Sequence, residues 1–230
     1  METIELSPDG TTFLNSGKKL FDKKFLQALK FHPPGLAPVC DETGWYHIST
    51  DGAPLYEERY GKAFGFYFNR ATVVEKDNWF HIDINGQKIS EKNFAWAGNY
   101  QQDLCTVRDF QNHYFHIDNS GNRIYEENYL YAGDFKEGFA CVKTKNGWKH
   151  INKEGKDLND YLYVDLGVFH KGVSTAKDES GWFHIAKNGV GLYPERYRSV
   201  EPFYNGFSLV EDKDGIKYVI DEKGKKIIKL

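Results

Sequence analysis

A short motif, aromatic-x-His-Ile, returns along this chain every 34 or 35 residues. Trp45-Tyr46-His47-Ile48 comes back as Trp79-Phe80-His81-Ile82, Tyr114-Phe115-His116-Ile117, Trp148-Lys149-His150-Ile151 and Trp182-Phe183-His184-Ile185. A fixed period of this length is the signature of a solenoid, a propeller or an array, in which one supersecondary unit is used many times. Residues 1–230 are therefore expected to form a single β-repeat array with no second, different domain.

Each unit carries the same parts. A strand holds the aromatic-x-His-Ile motif, and a tight turn follows, ending in Gly52, Gly86, Gly121, Gly155, Gly189 or Gly224. Asn85-Gly86 and Asp51-Gly52 are two-residue hairpin signals, because both positions must tolerate positive φ. A second strand centres on Leu55, Ile89, Ile124, Leu158, Leu192 or Ile227. A connector framed by aromatics such as Tyr60 and Phe66 leads to a third strand, Ala71/Val73 or Ala140/Val142. Helical periodicity is absent, and β-branched and aromatic residues dominate, so the fold class is all-β: tandem antiparallel meanders of three or four strands.

The motif strand is apolar on both faces, with Trp and His on one side and Phe or Tyr and Ile on the other. Such a strand must be covered on both faces, so neighbouring units are expected to stack. The ends, about 10–21 and 216–230, read as half-unit caps that lack the tryptophan and histidine. A chain that begins and ends with the same half-unit favours an open, twisted β-solenoid; the alternative is a closed β-propeller.

The formal charge of −3 comes from 30 basic and 33 acidic residues spread along the chain, which offers no basic face for nucleic acid. No stretch of about 18 apolar residues occurs, so no membrane span is expected. Met1-Glu2-Thr3-Ile4-Glu5-Leu6 has neither the basic start nor the apolar run of a signal peptide. Three cysteines, Cys40, Cys105 and Cys141, have no paired spacing and read as free thiols in a reducing, cytoplasmic compartment.

Laid out this way, the chain resembles the bacterial WG-repeat (KWG) family. Gly44-Trp45, Gly181-Trp182 and Lys145-Asn146-Gly147-Trp148 carry the resemblance, with the turn glycine and Phe135-Lys136-Glu137-Gly138-Phe139-Ala140-Cys141-Val142. It departs from the family pattern in its His-Ile dipeptides, in Tyr114 for one tryptophan, and in Asn69 and Asp103 for the connector glycine. The resemblance implies a non-catalytic β-repeat scaffold, and brings with it neither a catalytic set nor a cofactor.

Candidate chemistry is sparse. The column His47, His81, His116, His150 and His184 could hold a metal, or could be core residues whose ring nitrogens meet neighbouring backbone. Zinc needs its ligands within about 2.1 Å of one ion, whereas packed sheets stand roughly 10 Å apart, and Phe13 and Val219 fill the same column at the ends. The structural reading is preferred, and no metal site is expected. Trp45, Trp79, Trp148 and Trp182 share that face and read as core. The pairs Glu57-Glu58 and Glu126-Glu127 recur between strands as a solvated face. No nucleophile elbow, phosphate loop or metalloprotease helix is present, and no inter-unit insertion exceeds one residue; an enzyme is not expected.

Departures from the repeat carry more information. Trp96 and Tyr131 stand where other units have Gln27, Lys62, Asp165 and Ser199. Phe110 occupies a hairpin tip that is charged elsewhere, and Phe68 replaces Gln102, Glu137, Lys171 and Asn205. Large aromatics at positions that tolerate charge are candidates for a binding patch, or for packing of one connector on the next. The expected function is a protein–protein interaction scaffold. The alternative is a carbohydrate-binding module in which these aromatics stack on sugar faces. A catalytic propeller would need convergent acidic or basic side chains at one rim, and none breaks the repeat.

Overall fold

The structure, a computed structural model, describes residues 4–230; Met1, Glu2 and Thr3, part of the segment read for a leader, lie outside them. Two compact units divide the chain, residues 1–123 and 124–230. Among the described residues every regular element is a strand, and no helix is long and apolar enough to cross a membrane.

The first unit holds four sheets. One is formed by Ile4–Leu6, Phe13–Asn15 and Lys18–Lys19, and the next by Gln27–Ala28, Leu36–Asp41 and Gly44–Ser49. Lys62–Tyr67, Arg70–Glu75 and Asn78–Asp83 build the third, and Trp96–Ala97, Leu104–Arg108 and Tyr114–Asp118 the fourth. The second unit holds three sheets: Tyr131–Ala132, Phe139–Thr144 and Gly147–Asn152; Asp165–Leu166, Val173–Asp178 and Gly181–Ala186; and Ser199–Val200, Phe207–Glu211, Lys217–Asp221 and Lys226–Lys229. Lys217–Asp221 and Lys226–Lys229 are thus the third and fourth strands of a four-stranded sheet.

Every sheet is an antiparallel meander in chain order. The motif strand gains a fourth, broken neighbour through isolated bridges, Ile48↔Pro54 with Trp45↔Tyr60 and Ile185↔Gly191 with Trp182↔Tyr197. The framing aromatics Tyr60 and Tyr197 therefore close each sheet's outer edge, and their main chains exchange hydrogen bonds with Trp45 and Trp182.

The turns differ from the two-residue hairpins expected at Asn85-Gly86 and Asp51-Gly52. At Asp83 the loop runs three residues: Asp83 N–H bonds Gln87 O, and Gly86 N–H bonds Asp83 O. Only Gly86 has positive φ there, because the Asp83 carboxylate accepts Asn85 N–H and Gln87 N–H and holds the preceding residues in an Asx turn. The two-residue form occurs instead between first and second strands, as at Glu137 (φ 53°) and Gly138 (φ 93°).

The motif-turn glycine meets a second constraint. Tyr125 lies against Gly155 so closely that a Cβ would fall 2.8 Å from its Cβ and Cγ, and Tyr193 covers Gly224 in the same way. Each of these tyrosines comes from the sheet before the glycine it covers, so the turn is a stacking surface between sheets.

The core is the expected one on the Ile and His faces. Ile48, Ile82, Ile151, Ile185 and Ile220 are fully buried. The tryptophan column departs from expectation: Trp45 is buried, whereas Trp79, Trp148 and Trp182 are half-buried. Trp79 meets the rings of Phe64 and Trp96, at 5.5 and 6.4 Å, and cations lie by the other two; Lys143 Nζ stands 5.4 Å from the Trp148 ring and Lys177 Nζ 5.8 Å from that of Trp182.

Candidate functional site

The histidine column is a set of fasteners between sheets. His47 Nε2 reaches Phe64 O at 2.8 Å, His81 Nε2 reaches Gly98 O at 3.0 Å, His150 Nε2 reaches Gly167 O at 2.8 Å and His184 Nε2 reaches Glu201 O at 2.8 Å. Each acceptor lies 17 residues downstream, on or beside the first strand of the next sheet. A carbonyl only accepts, so Nε2 carries the proton and Nδ1 is left as an acceptor. Tyr56 Oη and Tyr193 Oη donate to Nδ1 of His47 and His184 at 2.5 Å. Where Tyr is replaced by Asn159, His150 Nδ1 is buried with no hydrogen-bond partner.

Burial disfavours the imidazolium and pushes His47, His81 and His150 down to about 4; His184 is lowered for the same reason. With Nε2 committed to a backbone carbonyl, each neutral ring keeps one lone pair, on Nδ1, and in His47 and His184 that lone pair accepts a tyrosine hydroxyl. No group of three or more potential metal-ligating side chains occurs among the described residues.

The four aromatics singled out in the sequence are at the surface to different degrees. Phe68 and Phe110 are each 56% exposed and Tyr131 44%, while Trp96 is half-buried. Trp96 packs at 6.4 Å from Trp79 and 6.2 Å from Tyr114, and Tyr131 at 5.6 Å from Trp148. Both therefore extend the tryptophan column. Phe68 lies on a first-to-second-strand turn and Phe110 on a second-to-third-strand turn. Antiparallel strands reverse at each turn, so these two rings sit at opposite ends of their sheets.

A different column contains the better candidate. The aromatic in the motif's second position is covered by at least one cation in nearly every unit. Lys88 (4.8 Å from the Phe80 ring), Arg123 (4.0 Å from Phe115) and Lys226 (3.7 Å from Tyr218) reach it from eight residues downstream. Arg59 (3.7 Å from Tyr46) and Arg196 (3.5 Å from Phe183) reach it from thirteen. In the Phe183 unit the eighth position is Gly191, whose missing Cβ would stand 3.5 Å from the ring. The preceding connector also changes: Tyr161, Leu162 and Val164 stand where the Tyr46 unit has Lys23, Lys24 and Leu26.

The result is a cavity of about 330 Å³ in the second unit, lined by Tyr161, Leu162, Asp178, Phe183, Gly191 and Arg196 among others. Tyr161 is 68% exposed, Leu162 50% and Val190 60%. Arg196 Nε donates to Asp178 Oδ2 at 2.6 Å, and Ser180 N–H and Gly181 N–H donate to Asp178 Oδ1 at 2.8 and 3.1 Å. Burial raises the pKa of Asp178, but these hydrogen bonds bring it below the usual carboxylate range, so the cavity holds an Asp178–Arg196 ion pair at neutral pH. Composition alone pointed elsewhere; a unit-by-unit alignment carries the signal, as glycine in a cation's place and apolar residues in the place of lysines.

The class these sheets define is an all-β array of antiparallel meanders. No protein-family model matches the chain, and no curated protein matches it. Its fold is similar to that in a crystal structure of a eukaryotic initiation factor, with a TM-score of 0.61 at 12% identity, over 99% of this chain and 72% of that one. BamB from Moraxella catarrhalis matches at a TM-score of 0.47 and 11% identity, over 99% of this chain and 87% of that chain. The WD40 β-propeller domain of Doa1 matches at a TM-score of 0.38 and 12% identity, over all of this chain and 87% of that one. Identities this low speak to fold alone.

Proposed function

We propose that this chain is a non-catalytic repeat scaffold that binds a protein partner, and that it belongs with the WG-repeat proteins it resembles. The observation that carries the reading is the exposed apolar group formed by Tyr161, Leu162 and Val190 beside Phe183, with Tyr161 and Leu162 standing where the Tyr46 unit has Lys23 and Lys24. Exposed apolar groups gathered at one place on an otherwise charged repeat mark an interaction surface. The buried side chains of His47, His81, His150 and His184 are meanwhile committed to joining sheets. Free thiols at Cys40, Cys105 and Cys141 support a reducing compartment such as the cytoplasm.

For the architecture, the four-stranded meander with a first strand as short as two residues supports a propeller blade; the open solenoid is the alternative. A protein array and a glycan array probed with the same labelled chain test the function. Protein hits lost in Leu162→Glu are expected. Binding confined to glycans, and lost in Trp96→Ala or Tyr131→Ala, would favour the carbohydrate module instead.

A further inference from the structure

The molecule contains a near-copy of the Phe183 site in which a lysine lies between the ring and the carboxylate. Asp41-Glu42-Thr43-Gly44-Trp45-Tyr46-His47-Ile48 matches Asp178-Glu179-Ser180-Gly181-Trp182-Phe183-His184-Ile185, and Arg59 and Arg196 lie on equivalent rings. In the first unit Lys23 occupies the gap. Its Nζ lies 3.1 Å from Asp41 Oδ2, 2.6 Å from Tyr46 Oη and 5.3 Å from the Tyr46 ring centroid. In the second unit Tyr161 takes the place of Lys23 and Phe183 that of Tyr46, so the lysine is missing and the carboxylate is paired with Arg196 instead.

We propose that the Phe183 cavity is a docking pocket for a lysine side chain of a protein partner, bound as Lys23 is bound at the equivalent site. Charge complementarity favours a cation. The filled site holds two cations, Lys23 on Asp41 and Arg59 on the Tyr46 ring, whereas the open one holds Arg196 alone, on both the Phe183 ring and Asp178. Shape favours an alkyl stem, since Tyr161, Leu162 and Phe183 supply apolar walls and Gly191 withdraws the side chain that elsewhere covers the ring. Asp178 has the capacity to take it. A carboxylate oxygen accepts two hydrogen bonds, as Asp41 Oδ2 does from Lys23 and Tyr46, and Asp178 Oδ2 already accepts Arg196. An ammonium over an aromatic face, with a carboxylate at its head, is a recurrent mode of alkylammonium recognition.

The inference deepens the protein-scaffold reading and rests on it, but its test uses a small probe, so the two can fail separately. The isotope-labelled protein is titrated with Nα-acetyl-lysine N-methylamide, and with the norleucine analogue that lacks the ammonium, while backbone amide shifts are followed by NMR. Saturable shifts confined to the lining segments, residues 161–163, 178–191 and 196, are expected with the lysine probe, and binding about tenfold weaker with norleucine, the scale of one charge-assisted hydrogen bond. Tyr161→Lys puts back the equivalent of Lys23, and Gly191→Lys restores the ring-covering cation of Lys88. Each should abolish the response and leave the remaining spectrum native. Equal binding of the two probes, unchanged binding in a folded Gly191→Lys variant, or no saturable shift would overturn the proposal. A saturable response with no protein hit on the array would sustain the pocket and count against the scaffold reading alone.

Discussion

His184 Nε2 donates to the carbonyl of Glu201, 2.8 Å away on the next sheet, while Tyr193 Oη donates to its Nδ1. A buried imidazole thus spans two sheets with both nitrogens engaged. His150 makes the same carbonyl contact, to Gly167, but its Nδ1 has no partner. Phenylalanine already fills this column at Phe13, so His→Phe keeps the shape and removes the polar contacts. His184→Phe leaves the Tyr193 hydroxyl unpaired and should cost about 2–4 kcal/mol, whereas His150→Phe removes one bond and one orphan and should cost about 1 kcal/mol. Denaturant titration of both variants checks the ordering; equal losses would mean that the nitrogens do not matter.

Two glycines in the second unit separate backbone strain from close approach. Gly138 has φ of 93° and open space around it; Gly155 has φ of 76° and the Tyr125 ring against it. Gly138→Ala should cost about 1–2 kcal/mol, the strain of a left-handed alanine. Gly155→Ala should cost at least about 2 kcal/mol more, because the Tyr125 ring must move as well. Unfolding midpoints that shift equally would show that the ring yields freely.

Phe68 is an exposed aromatic held at φ of 50°, where its equivalents are Gln102, Glu137, Lys171 and Asn205. Bulky side chains seldom adopt this conformation, and nothing in the core requires one here. Phe68→Gly should therefore raise stability by about 1 kcal/mol. A loss of stability would show that the ring packs locally, and would remove it from the list of possible contact residues.

Deleting one whole period, Trp79 through His113, joins Asn78 to Tyr114 and preserves every type of local contact. The propeller reading, in which a ring fixes its blade number, predicts that the shortened chain loses cooperative unfolding or dimerises. An open array, whose stability is a sum over neighbours, would instead give a soluble, cooperative monomer with β-sheet circular dichroism and a modestly lower midpoint.

Much of the fold was legible because the Ile and His positions recur at one spacing and the period-2 alternation sets their faces. The histidines read correctly as core, since two end units put Phe13 and Val219 in their place. Their partners were not legible: Phe64 O and Gly98 O are main-chain atoms of the next sheet, and any residue type supplies a carbonyl. The tryptophans misled because a large ring suggests burial, yet Lys143 and Lys177 can cover a ring from the solvent side. Asn85-Gly86 misled because the side chain of Asp83, two residues earlier, sets that turn. The Phe183 cavity was visible only as Gly191 in the register of Lys88, Arg123 and Lys226. That register has meaning once position eight is known to face the ring.

The histidine column is most directly tested by stability against pH. The folded-state pKa values of His47, His81 and His150 lie at about 4, and that of His184 is lowered too, against about 6.5 in the unfolded chain. Between these values the unfolded state binds more protons, so stability is complete above pH 6.5 and falls as pH drops towards 4. At pH 5 His47, His81 and His150 each cost about 2 kcal/mol, so the three together reach the range of an ordinary domain's whole stability, about 5–15 kcal/mol, and His184 acts in the same direction. Urea titrations from pH 7.5 to 5 should show the midpoint falling steeply below pH 6.5, with the slope reduced in His184→Phe. A midpoint that stays flat over this range, with the sheet signal intact, would contradict the account.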